Sequence, residues 1–223
     1  MKVQQNLELQ CHRLTNFDTQ DWSAVKEAFA NASPCDLLQA WREIPEAEFQ
    51  PAQACAGWHD GALWVYAELS DCDIFNDAAH FNDRTYELGD LFEILIRPEG
   101  QDDYFEFHIT PENQQLQLHW PDADAIWKFD ERHEKLKPYF VPKVLLVSQT
   151  EVQHQNHFWR VLAKIPSSVA LSKNIQVGDV WTFSFSRYDC TRGKSEPVLS
   201  SCSPHAQPRF HRQHEWGKLH FAG

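Results

Sequence analysis

Glycine is scarce in this chain, with eight residues in 223, and none falls in a GxGxxG or GxxxxGK[ST] pattern. Loops that cradle phosphates on backbone N–H groups are therefore not signalled. HExxH and GxSxG are also absent, which removes two common hydrolase signatures. The six cysteines, at 11, 35, 55, 72, 190 and 202, include no CxxC pair. The N-terminal stretch MKVQQNLELQCHRL lacks the apolar centre of a signal peptide. Free thiols are thus expected ahead of three disulfides, and a cytoplasmic location is expected. No stretch approaches 18 consecutive apolar residues and the mean hydropathy is −0.55, so no membrane-spanning segment is expected. Positive charge is in the minority. Lys and Arg number 20 against 32 Asp and Glu, a net charge of −12. Nucleic acids and anionic membranes, which need a basic face, are excluded as main partners. The length suits a single all-β domain, residues 1–223, large enough to fold without metal or disulfide.

Aromatic residues are what the chain has in plenty: nine Trp and fifteen Phe. Asp21 is placed to cap a short helix over Trp22–Ala30, with Val25, Ala28 and Phe29 at helical spacing. Pro34, Pro45 and Pro51 break up the rest of residues 1–50, which read as an irregular segment packed on the domain. From residue 52 the apolar period becomes two. Gln53–Trp58 and Ala62–Leu69 read as strands joined at Asp60-Gly61, a step suited to a tight hairpin turn. A polar loop over 70–88 follows. Strands are then predicted over Leu91–Arg97, Tyr104–Thr110, Leu116–Trp120, Val141–Gln149, His157–Ile165, Val180–Tyr188 and Glu215–Phe221. About nine short strands with turns between them predict an antiparallel β-sandwich with one short N-terminal helix.

Two carboxylates interrupt otherwise apolar strands: Glu93 within Leu91–Ile96 and Glu106 within Tyr104–Ile109. A carboxylate on a sheet face accepts hydroxyl hydrogen bonds, and it equally suits a salt bridge. His108 shares a face with Glu106 by period two, and Arg187 ends an aromatic strand, where it is expected to bring a fork-shaped donor to the same rim. Trp120 ends its strand as either a wall or a core residue. The pairs His154/His157 and His211/His214 lack an evident third metal ligand. Asp71, Asp73, Asp77, Asp83 and Asp90 crowd one loop without EF-hand spacing, so a solvated acidic loop competes with a cation site there.

Six segments in order carry a family resemblance: GALWVYAELSDCDI, ELGDLFEILIRPEG, DYFEFHITPENQ, WRVLAKIPSSV, GDVWTFSFSRYDC and PRFHRQHEWGKLHF. Together they span residues 55–221. The chain resembles the family 9 carbohydrate-binding modules, and with them the wider DOMON-like group of jelly-roll sandwiches. The resemblance implies a non-catalytic module that binds a mono- or oligosaccharide by stacking its ring on aromatic planes, with charged side chains fixing the hydroxyls. It implies no cofactor, although members can carry calcium, for which Asp71, Asp73 and Asp90 are the candidates here. The family holds its sugar between two Trp. This sequence departs from that pattern, with Tyr86 and Phe210 at the corresponding places, and His211 adjoins Phe210. The expected ligand-binding set is thus Tyr86, Glu93, Glu106, His108, Arg187, Phe210 and His211. Three alternatives stand beside it. A haem domain is disfavoured because the only Met is Met1. A glycosidase would use Glu93 and Glu106 as an acid/base pair. A protein-interaction domain would keep the fold after its sugar site had decayed.

Overall fold

The computed structural model describes residues 7–128, 136–170 and 174–223. Its strands are β1 (Glu8–Arg13), β2 (Cys35–Asp36), β3 (Ala52–His59), β4 (Ala62–Ser70), β5 (Leu91–Pro98) and β6 (Tyr104–Ile109). They continue with β7 (Gln115–Trp120), β8 (Val147–Gln153), β9 (Phe158–Pro166), β10 (Val180–Asp189), β11 (Val198–Ser201) and β12 (Gly217–Phe221). Among the described residues, three short α-helices accompany them: α1 (Trp22–Ala28), α2 (Ala125–Lys128) and α3 (Ser167–Ala170). The strand order is β7-β6-β5-β10-β12-β1-β3-β4-β9-β8, with β11 beside β10 and β2 beside β3.

Alternation sorts the side chains. Phe92, Ile94 and Ile96 of β5 share one core with Phe105 and Phe107 of β6 and Trp181, Phe183 and Phe185 of β10. Leu63, Val65, Ala67 and Leu69 of β4 and Trp159, Val161 and Ala163 of β9 pack into the same core. The sheet therefore curls so that its two halves close over one interior, as apolar residues at period two require. Trp64 and Tyr66, on the other face of β4, are covered by Val25 and Phe29. The Asp21 side chain accepts from the Ser23 N–H and caps α1, which ends at Ala28. The β3–β4 hairpin turns on Asp60 and Gly61, both at positive φ, as the Asp-Gly step predicts.

Three features differ from the sequence reading. The sheet is mixed rather than wholly antiparallel, because β1 runs parallel to both of its neighbours. Glu8–Cys11 pair with β12, and His12–Arg13 pair with β3. The N-terminal segment expected to be irregular thus contributes a strand to the middle of the sheet. The eighth strand lies later than predicted, over Val147–Gln153, with its turn at His154–Asn156. Pro142 stands just after buried Val141, and this stretch feeds the core without pairing as a strand. The loop expected after β10 contains β11.

Candidate functional site

The faces of β5, β6, β7 and β10 that point away from the core carry Glu93 and Leu95; Tyr104, Glu106 and His108; Leu116, Leu118 and Trp120; and Ser184, Ser186 and Tyr188. Cross-strand register sets Glu93 opposite His108 and Ser186, Glu106 opposite Leu118 and Leu95, and Tyr104 opposite Trp120. Period two alone therefore brings two carboxylates, an imidazole and a ring of aromatics together on one patch. Loops rise around it: the 3₁₀ turn Thr85–Glu87, the short helix α2, and the segment leading to the 3₁₀ turn Gln213–Glu215.

They enclose a cavity of about 600 Å³. Its floor is Glu106, His108, Leu118 and Trp120, and one side is Arg84, Tyr86, Glu87 and Tyr188. Ile126, Trp127 and Leu136 form another side, and Pro208, Arg209, Phe210 and His211 the last.

Glu106 is the hub of the floor. Its Oε1 lies 2.7 Å from His108 Nε2, and its Oε2 accepts from Trp120 Nε1 at 2.7 Å. His211 Nε2 lies 3.5 Å from the same Oε2. His108 Nε2 is also 3.4 Å from Glu93 Oε1, and its Nδ1 is 2.9 Å from Thr85 Oγ1. Tyr104 OH meets His211 Nδ1 at 2.8 Å. All but His211 are buried. Burial acts against the charge on Glu106, but His211, His108 and Trp120 outweigh it and hold the carboxyl at about 2. Burial likewise acts against charge on His108, and Glu106 and Glu93 push that imidazole up to about 9. Glu106 and His108 are thus charged groups paired with each other and with their neighbours, which is the condition for a polar group to survive burial.

The structure brings five of the seven predicted residues to the cavity: Tyr86, Glu106, His108, Phe210 and His211. Tyr86 is half-buried, edge-on to His108 at 6.0 Å, with the Arg84 guanidinium over its ring at 5.2 Å. Phe210 is buried against Tyr188 at 5.8 Å and Trp41 at 6.3 Å. Glu93 lies behind His108, outside the lining, and its Oε2 accepts no hydrogen bond among the described residues. His108 therefore stands between the two carboxylates, which do not flank an open space.

Arg187 lies elsewhere. It shares its parity on β10 with Phe183 and Phe185, so it points into the interior, the opposite side from Tyr188. There its Nη2 is 3.1 Å from both Asp71 Oδ2 and Asp189 Oδ2, with no exposure to solvent. Asp71, Asp90 and Asp189 gather ligand-type atoms within 4.8 Å of one another. They do not fit a calcium ion, which takes six to eight oxygens at about 2.3–2.6 Å. Asp90 uses Oδ1 on the Cys190 N–H and Oδ2 on the Phe75 N–H. Asp71 uses its oxygens on the Asp73 N–H and Arg187. Burial and the neighbouring Asp71 carboxyl push the Asp90 carboxyl up to about 9. Arg187 supplies the positive charge of this cluster. Asp73 turns away to Arg192.

The sequence reading missed Tyr188, Arg84 and Arg209, as well as Trp127. Tyr188 was within reach, since it has the parity opposite to the buried Phe183 and Phe185. Arg84 and Arg209 lie on loops, and Trp127 lies on the one-turn helix α2, whose four residues are too few to show a helical period.

No protein-family model matches the chain, and no curated protein matches it significantly. Solved structures do share its fold. A protein from Bacteroides uniformis, assigned provisionally to carbohydrate binding, superposes with a TM-score of 0.74 at 15% identity, covering 97% of this chain and 100% of that one. A family 9 carbohydrate-binding module from Caldicellulosiruptor kristjanssonii in complex with cellotriose gives 0.64 at 15% identity, covering 97% and 94%. The same organism's family 9 module in complex with glucose gives 0.62 at 15% identity, covering 96% and 94%. The chain has the fold of these modules.

Proposed function

We propose that the protein is a non-catalytic saccharide-binding domain and that the cavity over Glu106 is its site. The observation that carries this reading is the floor itself. A cavity of about 600 Å³ lies in the range of small-molecule sites, and its polar groups converge on one ionised, buried carboxylate set among aromatic rings. A pyranose presents an apolar C–H face and a rim of hydroxyls. Trp120, Tyr86 and Tyr188 supply apolar surface, while Glu106, His211 and Arg209 supply acceptors and donors at the rim. The shared fold with modules solved holding glucose and cellotriose supports the same ligand class. A glycosidase needs two carboxyl groups across the scissile bond. Here Glu93 is withdrawn behind His108, which supports binding without catalysis.

Isothermal titration with glucose, cellobiose and a panel of other mono- and disaccharides, each beside its alditol, tests the proposal. Heat is expected with at least one free sugar, and Glu106→Gln is expected to weaken that binding at least tenfold while the variant remains folded by circular dichroism. No heat across the panel overturns the reading and leaves the fold to a protein-interaction role.

A further inference from the structure

The cavity does not end at its rim. A second chamber of about 420 Å³ adjoins it, with Arg97, Asp124 and Gln213 in its wall, and the two share the side chains of Trp127 and His211. Trp127 is 52% exposed, whereas its neighbour Ala125 on α2 is buried against the aromatic cluster beneath the site. Among the described residues its indole makes no ring pair and no side-chain hydrogen bond, although its backbone N–H bonds Asp124. A large indole standing in solvent at the junction of two polar chambers is an unused stacking plane, because exposing so much apolar surface is unfavourable in itself. The chamber beyond it has polar groups to spare. Arg97 bonds Gln213 Oε1 at 2.5 Å and Thr182 Oγ1 at 3.3 Å, with no carboxylate on it among the described residues. Gln213 Nε2, buried in the same wall, has no hydrogen-bond acceptor among the described residues.

We infer that Trp127 carries the second ring of an oligosaccharide, whose first ring occupies the cavity over Glu106 and whose hydroxyls beyond Trp127 meet Arg97 and Asp124. This rests on the saccharide reading of the first cavity and narrows it to linear ligands of at least two pyranose rings. It also places an aromatic platform on α2, away from the Tyr86 and Phe210 positions at which the sequence suggests stacking.

Titration of wild type, Trp127→Ala and Trp127→Phe with glucose, cellobiose and cellotriose tests it. Wild type is expected to bind cellotriose more tightly than glucose. Trp127→Ala is expected to lower cellotriose affinity at least tenfold more than glucose affinity, and Trp127→Phe to recover most of that loss. Base stacking on aromatic side chains shows effects of this size. If glucose and cellotriose fall together, Trp127 serves the first ring and the inference fails alone. Equal wild-type affinities for the two sugars, both unmoved by Trp127→Ala, also sink it while the first cavity stands. Absence of heat with every sugar overturns both.

Discussion

Glu106 can remain ionised in a buried site only because His108, Trp120 and His211 surround it, and the cost of that arrangement is a pH dependence whose direction is fixed. The His108 imidazole is raised from an ordinary 6.5 to about 9. Its stabilising contribution is complete below pH 6.5 and lost as pH rises through 9. Glu106 is lowered from 4.5 to about 2, so its contribution is complete above pH 4.5 and lost as pH falls through 2. The pair is fully effective between about pH 4.5 and 6.5. His108→Gln removes one partner of a buried pair, a change that typically costs about 3–5 kcal/mol. Urea denaturation of wild type and variant should therefore show the largest gap near pH 5.5 and a smaller one at pH 9.5. A gap that stays constant across that range would falsify the assignment of a charged His108. Glu93 shares this histidine from behind, which accounts for a buried acid outside the cavity lining.

The site also depends on a loop that the sequence presents only as polar. Asn76 Nδ2 donates to the carbonyls of Thr85 and Asp90, each at 3.0 Å, tying the turn under Tyr86 to the start of β5. Gly89 makes the tie possible. Its φ is +144°, and a Cβ there would lie 2.4 Å from the Phe75 carbonyl oxygen. Gly89→Ala combines strain with collision and is expected to lose more than about 1 kcal/mol in urea midpoint analysis. Gly100→Ala, at φ +80° with open space around it, is the control for strain alone and should lose less. Equal losses would mean that the contact with Phe75 is unimportant. Elements like this mark the limit of sequence reading. Strands buried on both faces or alternating cleanly, such as β4, β5, β6 and β10, were legible because apolar side chains must all reach one core. β8 was misplaced because an edge strand wetted along its length needs no alternation, and its seven residues are exposed or half-buried. Arg187 lies on the expected strand but not at the rim where its fork-shaped donor was expected, because its parity with Phe183 and Phe185 sends it to a buried carboxylate cluster.

At the scale of the whole molecule, β1 determines how the two halves behave. Its first four residues bond to β12 and its last two to β3, so one strand joins the β7-β6-β5-β10-β12 half to the β3-β4-β9-β8 half through parallel ladders on both sides. Nothing in GALWVYAELS or DYFEFHIT foretells this, because a parallel partner far along the chain leaves no turn signal next to the strand. The core contains side chains from both halves, including Leu9 and Cys11 of β1 itself. Neither half can bury its apolar face without the other. Unfolding should accordingly be a single transition, with tryptophan fluorescence and far-ultraviolet circular dichroism giving coincident urea midpoints. Cys11 is fully buried at the seam, and burial holds its thiol neutral far above the ordinary range. Cys11→Asp puts an unpaired carboxylate between the halves, a substitution the interior has no hydrogen bond to satisfy. It should abolish the folded state of both halves together. A biphasic curve, or a variant in which one half keeps its structure, would show instead that the two halves fold independently and that β1 only links them.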